Sequence, residues 1–516
     1  MRSVSMLAAG TALLTIAAAS PQARAQSVTP AQQAALEAQL RSWYTLGDPA
    51  FAAASTQIQI TPAGDHFDVV APVRLRGAST GDLQVTGAAR PGDNGKWSFA
   101  GVRTAVPFKL AVQMPAPPPA GKRAAARQTL LYTVDAASQD GTIEYDPSFA
   151  TPSSWTSAIR GMTIRTSGAG LEQTSDIAAV DGTTTLTPAQ DNRLDLVTNG
   201  TLTGYRLDSK AAADTPAITA SIGKASVAAS LTGLDRDKAA GLIAVLGRVG
   251  KLAEAAPAGQ PPALPPALVA ELTTSLQGLA SRMVVSESFD TVKLDLAGMA
   301  FSLAQVRMGL DSRSEQGLFR AVLDLGLQGL AMPDFGLGEL EALIPRNVSL
   351  RPYVSGLPVE DLSRIMAALA KKQDPKPADM AALFSHGGVV TGLESLAIEL
   401  GSTSFAGEGK LTMTGPHDLA GTARLTADNF DALIQSLGAI PMAAQAMPVA
   451  IFLKGIARND GGKLVWDLTY TGDRILVNAI DLSAMTGRPA PQGPNPDANP
   501  GGAPKTPAPR PSAKPR

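Results

Sequence analysis

The strongest constraint on the fold is an alternation of apolar and polar residues with a period of two. It dominates residues 57–229 and returns after residue 286. Its longest clean run places on one face the side chains of Phe319, Ala321, Leu323, Leu325 and Leu327. Such alternation is typical of strands with one apolar and one polar face. Short turn signals separate the strands, so we predict antiparallel pairing, because parallel pairing needs long crossovers.

Helical periodicity interrupts the strands. Apolar residues recur three or four residues apart in 235–255, in 267–281 and in 358–371, as on the apolar stripe of an amphipathic helix. We therefore predict an α+β fold of mostly antiparallel, curved β-meander sheets, with several amphipathic helices packed on the concave face. The predicted regions are a signal peptide (1–25), a β-rich region with a short leading helix (26–234), a helix, proline-rich connector and helix (235–285), a second β-rich region with interleaved helices (286–485) and a disordered, proline-rich basic tail (486–516).

The first 25 residues have the three parts of a secretory signal. Arg2 supplies the positive start, Met6–Ala19 is the apolar core, and Ala23-Arg24-Ala25 is an A-x-A cleavage site. The apolar run is too short to span a membrane. We expect cleavage between Ala25 and Gln26 and a soluble periplasmic product with no transmembrane segment. Mass spectrometry of the protein from its native envelope should show a chain that begins at Gln26, and retention of residues 1–25 in the membrane would contradict this prediction.

Composition excludes several classes of function. The chain has no cysteine and three histidines, so we expect no disulfide, no thiolate-bound metal and no cofactor. The formal net charge is −1 and aromatic residues make up 4%, which argues against nucleic-acid binding by charge or by base stacking.

The predicted tail at 486–516 differs in charge from the rest of the chain, because it has five cations and the single anion Asp497. We consider two roles for it: an inert solvated tail, or weak attachment to an acidic membrane surface or to the cell wall.

Two segments match catalytic motifs, but neither has the surrounding secondary structure that its motif requires. Ser79 lies in a G-x-S-x-G pattern, but strand alternation follows it where a nucleophile elbow needs a helix. Ser221 and Lys224 match S-x-x-K, but Gly223 and the flanking alternation favour a strand or turn over a helix start. We therefore predict no catalytic residue from these motifs.

Three stretches carry a resemblance to known proteins. They are ITPAGDHFDVVAPVRL, then FRAVLDLGLQGLAMPDF leading to SLRPYVSGLPVEDL, and FAGEGKLTMTGPHDLAGTARLTADNFDALI followed by GKLVWDLTYTGDRILVNAIDLSAM. Over most of residues 50–485 the chain resembles exported alphaproteobacterial proteins of a domain-of-unknown-function family. It is distantly similar to the YdgA and AsmA-like envelope proteins. The resemblance implies a role in the cell envelope and supplies no catalytic residue, and the chain departs from AsmA itself in having no membrane anchor.

These observations favour a non-enzymatic periplasmic protein that binds an apolar or lipid-like ligand or acts as an envelope-assembly scaffold. The partners we expect are lipids or envelope proteins, and the oligomeric state stays open. The candidate groove-lining residues are Leu323, Leu325, Trp466 and Leu468. One alternative is a protein-interaction module that uses exposed sheet edges. Another is a periplasmic hydrolase whose acid–base pair comes from distant carboxylates such as Glu144, Asp146, Asp295 and Asp324.

Overall fold

The structure is a computed structural model. It describes residues 27–45, 55–73, 78–79, 83–115, 127–147, 149, 152–168, 171–210, 216–255, 264–333, 341, 343–370, 374–415, 418–440, 444–472 and 474–483. The predicted signal peptide, its cleavage site at Ala25 and Gln26, and the predicted tail at 486–516 lie outside these residues.

The described strands form a single sheet. In chain order they are β1 (Gln59–Ala63), β2 (His66–Pro72), β3 (Ala78–Ser79), β4 (Gln84–Pro91), β5 (Trp97–Thr104), β6 (Phe108–Pro115), β7 (Arg127–Tyr145), β8 (Pro152–Gly168), β9 (Leu171–Pro188), β10 (Arg193–Ser209), β11 (Ile218–Asp235), β12 (Arg282–Leu296), β13 (Met299–Glu315), β14 (Leu318–Gln328), β15 (Pro345–Pro358), β16 (Val389–Leu400), β17 (Thr403–Met413), β18 (Leu419–Asp428), β19 (Arg458–Asp460), β20 (Lys463–Thr471), β21 (Arg474–Val477) and β22 (Ile480–Asp481).

The strands follow one another in a meander. From β7 to β18 each strand pairs antiparallel with the next one in the chain, and β20 pairs with β18. At the N-terminal side, β5 and β6 pair with different halves of β7. The sheet is curved and does not close on itself. The mostly antiparallel, curved sheet that the alternation predicts is therefore confirmed.

The helices lie between strands or before the first one. They are α1 (Pro30–Thr45), α2 (Arg236–Ala255), α3 (Pro266–Leu276), α4 (Val359–Ala370), α5 (Pro377–Ala382), α6 (Phe430–Ala439) and α7 (Met447–Ile456). Helices α2 and α3 connect β11 to β12, which are direct neighbours in the sheet. The predicted connector at 235–285 is thus inserted between two paired strands, and one sheet continues across it.

The two faces of the sheet differ in polarity. Residues directly opposite each other on paired strands project to the same face. The pairing of β13 with β14 places Leu310 opposite Leu323 and Met308 opposite Leu325. The residues between them, including Arg307 and Asp324, project to the other face, where they form an ion pair. The period-two alternation therefore separates an apolar face from a charged one, as the sequence predicts.

The alternation shifts by one residue at a transverse bend, which we call the crease. On each strand that crosses the crease, two consecutive residues of the apolar face are three positions apart instead of two. Ile159 and Met162 on β8 both reach the same buried cluster although they are three residues apart, and Gly161 between them has φ of +56°. On β10, Gly204 has φ of +65°. The pairings align the flanking residues into two rows, which are Ile159–Val180–Leu202–Ala225–Phe289–Val306 and Met162–Ile177–Tyr205–Ile222–Val292–Leu303. Because the phase shift occurs at the same place on each strand, the apolar face stays continuous across the bend.

Four buried clusters lie along the described part of the sheet. On the N-terminal side, Leu36 and Leu40 of α1 pack against Phe67 and Trp97. On the C-terminal side, α6 and α7 contribute Phe430 and Ala450 to a second cluster. Two further clusters use apolar residues of β7 to β11, of α2 and of the adjoining turns. The stretch from β12 to β16 lies between these cores.

Candidate functional site

The candidate site is a patch of partly exposed side chains on the apolar face from β13 to β16, and we call it the apolar field. Each strand contributes alternate residues, and the pairings set them side by side in transverse rows. Its members are Val306, Met308, Leu310, Leu323, Leu325, Leu327, Val348, Leu350, Leu396 and Ile398. The field is a continuous apolar surface four strands wide.

The exposure of the field distinguishes it from an ordinary core. Leu323 is 39% exposed and Met308 is 40% exposed, while the other members are half-buried. None of them belongs to a buried hydrophobic cluster formed by the described residues. Contiguous apolar surface of this kind is uncommon on soluble proteins unless it binds something. Partial exposure therefore separates the field from the buried clusters of the described residues.

The row that contains Leu325 also leads to a filled core. Pairing aligns Leu325 with Leu350, Leu396, Gly407, Leu425 and finally Trp466. Trp466 is only 4% exposed, and its ring lies 5.6 Å from that of Phe430, centroid to centroid. Its indole Nε1 donates a hydrogen bond to the Leu453 carbonyl over 2.8 Å. Leu468 packs against the same cluster. The predicted lining residues therefore share one face, with Leu323 and Leu325 on the open field and Trp466 and Leu468 under α6 and α7.

Glu287 adds a carboxylate beside the field that our sequence reasoning missed. It lies opposite Met308 on β13 and opposite Val227 on β11, so its side chain shares the apolar face. The side chain is half-buried, and among the described residues it has neither a hydrogen bond nor an ion pair. The sequence signal was available, because Glu287 occupies an apolar position of the alternation between Val285 and Phe289. It can accept a hydrogen bond from a molecule on the field.

The opposite face carries a chain of ion pairs behind the field. Arg307 and Arg351 approach Asp324 to 3.2 and 3.9 Å, and Arg351 and Arg320 approach Glu394 to 3.3 and 2.6 Å. Exposed pairs like these contribute at most about 1 kcal/mol each. Their main consequence is that each of the two carboxylates is shared by two arginines.

The structure places Asp295 and Asp324 of the hydrolase hypothesis apart from each other and from the neighbours Glu144 and Asp146. Asp324 is held by arginines on β14's charged face, and Asp295 accepts a hydrogen bond from the Gly298 amide near the other end of β12. Glu144 and Asp146 lie together at the end of β7, where Lys96 pairs with Asp146 over 2.8 Å. Burial raises the pKa of Glu144, and Lys96 partly opposes that rise. Within the described ranges, no group of three or more His, Asp or Glu side chains is placed to hold a metal ion.

Comparison of the chain with family models, with curated proteins and with solved structures finds no match. Among the described residues, no helix combines the length and the apolar character that crossing a bilayer requires. The case for a function therefore depends on the geometry of the apolar face.

Proposed function

We propose that the chain is a non-enzymatic periplasmic protein of the cell envelope that holds an apolar, lipid-like ligand on the apolar field. The observation that carries this proposal is the continuity and partial exposure of the field among the described residues, from Val306 on β13 to Ile398 on β16. Neighbouring strands are about 4.8 Å apart, so four strands give the field a width of roughly 15–20 Å. This width is similar to one leaflet of a bilayer, about half of its ~30 Å hydrocarbon core. The field is therefore large enough for an acyl chain.

We further propose that the apolar face is the concave one and that helices cover its two ends. Ile159, Met162 and Ile177 are buried although the residues that pack around them all come from strands. Side chains on a flat or convex face without a covering element would stay more exposed, so their burial supports bending toward this face. The packing of α1 and α6 in clusters near the first and last strands supports a trough that is filled at its two ends and more open between them.

Glu287 suits the polar part of such a ligand. A carboxylate beside an apolar surface favours an amphiphile with a hydrogen-bond donor or a cation, because a charge removed from water needs a partner. Val285 and Phe289 flank it on the same strand, so the polar contact is local. We expect the ligand to be an amphiphile with a donor group.

Two features favour this function over a sheet-edge interaction module. The edge strand β1 is five residues long and includes Pro62, which has no N–H group to offer a partner strand. The edge strand β22 is two residues long. Short edges with proline disfavour strand addition. The apolar field offers a larger surface than these edges do.

The test is a charge placed on the field. Leu323→Asp is expected to stay folded, because the side chain is partly exposed, and to lose at least tenfold of the lipid that co-purifies with the protein, because a carboxylate is repelled by apolar surroundings. Lipid is measured by organic-solvent extraction of the purified protein and mass spectrometry. Leu246→Asp on α2, where the leucine is 51% exposed, is the matched control and should keep its lipid.

Three results would contradict the proposed function. The first is the absence of lipid from the unaltered protein. The second is full retention of lipid by Leu323→Asp. The third is unfolding of Leu323→Asp, monitored by circular dichroism, which would show that the field is an ordinary core and leave a scaffold role in its place.

A further inference from the structure

Helix α7 presents an apolar surface to solvent. Val449 is 59% exposed, Ile451 is 54% exposed, and Phe452 and Leu453 are also exposed, whereas Ala450 is buried against the cluster around Trp466. We call these four exposed side chains the α7 surface. Val449 and Ile451 are more exposed than any member of the apolar field, and the α7 surface lies on the outer side of a helix whose inner side is already packed. Such a patch marks an interaction site.

The charged residues around the α7 surface are already paired. Lys454 pairs with Asp431 of α6, Arg458 pairs with Asp467 over 3.1 Å, and Lys463 pairs with Asp428 over 2.6 Å. The border of the surface is therefore close to neutral. It neither repels an anionic partner nor attracts one strongly.

The cationic tail follows directly from this side of the protein. Asn478, in the turn between β21 and β22, donates hydrogen bonds to the carbonyls of Ile456 at the end of α7 and of Val465, over 2.8 and 2.9 Å. The described chain ends soon after, at Ser483. The residues that follow carry Asp497 and five cations, which are Arg488, Lys505, Arg510, Lys514 and Arg516. The described chain therefore ends near the exposed apolar helix, and the sequence that follows it is net positive.

We propose that α7 docks on the surface of an anionic membrane and that the cations of residues 486–516 strengthen the attachment. The apolar side chains of α7 would enter the interface between headgroups and acyl chains. Stable attachment at a membrane surface commonly requires two signals, and a basic segment supplies the second. A second copy of the chain fits less well as the occupant, because it would bring two cationic segments together. This inference does not depend on the apolar field holding a ligand.

The experiment is flotation of the purified exported chain with vesicles of phosphatidylcholine alone or mixed with phosphatidylglycerol. We expect binding to the anionic vesicles, and at least a tenfold loss of binding in the double variant Ile451→Ser/Phe452→Ser. Both side chains are exposed, so the variant should unfold at the same urea concentration as the unaltered protein. The matched control is Leu246→Ser/Leu276→Ser, which removes two leucines of α2 and α3 that are 51% and 53% exposed and should bind normally.

The charge contribution is tested in the full chain. Substitution of the five cations after residue 486 by glutamine should weaken binding several-fold and reduce its dependence on salt, because screening acts on charge and not on apolar contact. Three results would overturn the proposal: no binding to anionic vesicles, equal loss of binding in the α2 and α3 control, or a dimer in sedimentation that the α7 variant converts to a monomer.

Discussion

Replacement of Trp466 by alanine is expected to lower the free energy of unfolding by about 3–5 kcal/mol, the range observed when a buried aromatic ring is removed. The ring is almost completely buried, packs against Phe430 and lies at the end of the row that begins on the apolar field. Its loss also leaves the Leu453 carbonyl of α7 without the indole donor. Chemical unfolding in urea, followed by circular dichroism, measures the change.

Trp466→Phe separates the two contributions. Phenylalanine keeps most of the apolar volume but has no donor for the Leu453 carbonyl, so we expect a loss of only about 1–3 kcal/mol from the unsatisfied acceptor and the smaller ring. A Trp466→Ala protein with an unchanged unfolding midpoint would show that α7 and α6 do not cover this residue as described.

Gly204→Ala tests the crease. The left-handed backbone costs alanine roughly 1–2 kcal/mol, and the added methyl group would lie 2.8 Å from Ala178 Cβ, which adds roughly 1–3 kcal/mol of overpacking. We therefore expect a total destabilisation of about 2–5 kcal/mol. Urea unfolding again gives the measurement.

Two further variants separate the contribution of backbone strain from that of crowding against Ala178. Gly101 on β5 has nearly the same φ, +64°, but no atom within 4 Å of the position of a Cβ, so Gly101→Ala should show the backbone strain alone. Ala178→Gly combined with Gly204→Ala should recover the part due to crowding. Equal losses in Gly101→Ala and Gly204→Ala, with no recovery in the double variant, would mean that the strands do not approach closely at the crease.

The sequence was sufficient for the faces of the sheet and for most helices. Alternation predicts which side chains share a face, because the side-chain period of a strand is fixed by its backbone. It does not predict which strands are neighbours across an insertion. The pairing of β11 with β12 around α2 and α3 depends on contacts distant in the chain. For the same reason, the sequence predicts two regions on either side of 235–285, whereas the structure places their strands in one sheet.

The candidate site was predictable in part. Leu323 and Trp466 show the same alternation, and the structure places both on the apolar face. Alternation does not reveal which part of a face another element covers, so the burial of Trp466 under α6 and α7 was not predictable from the strand pattern. That these residues bind a ligand stays a prediction. Glu287 was not singled out from the sequence, because one carboxylate at an apolar position leaves the rest of the alternation intact.

The crease has a consequence for how such a protein can change in length. Each strand from β8 to β13 shifts its alternation at the same level, so each hairpin repeats the bend of its neighbour. Insertion of one more hairpin with the same apolar–x–x–apolar spacing, as in Leu202–Tyr205, would lengthen the trough by about 10 Å and leave its cross-section unchanged. Growth by whole hairpins therefore needs no redesign of the sides. The number of hairpins sets the length of the trough. The position of the bend within each hairpin sets its width.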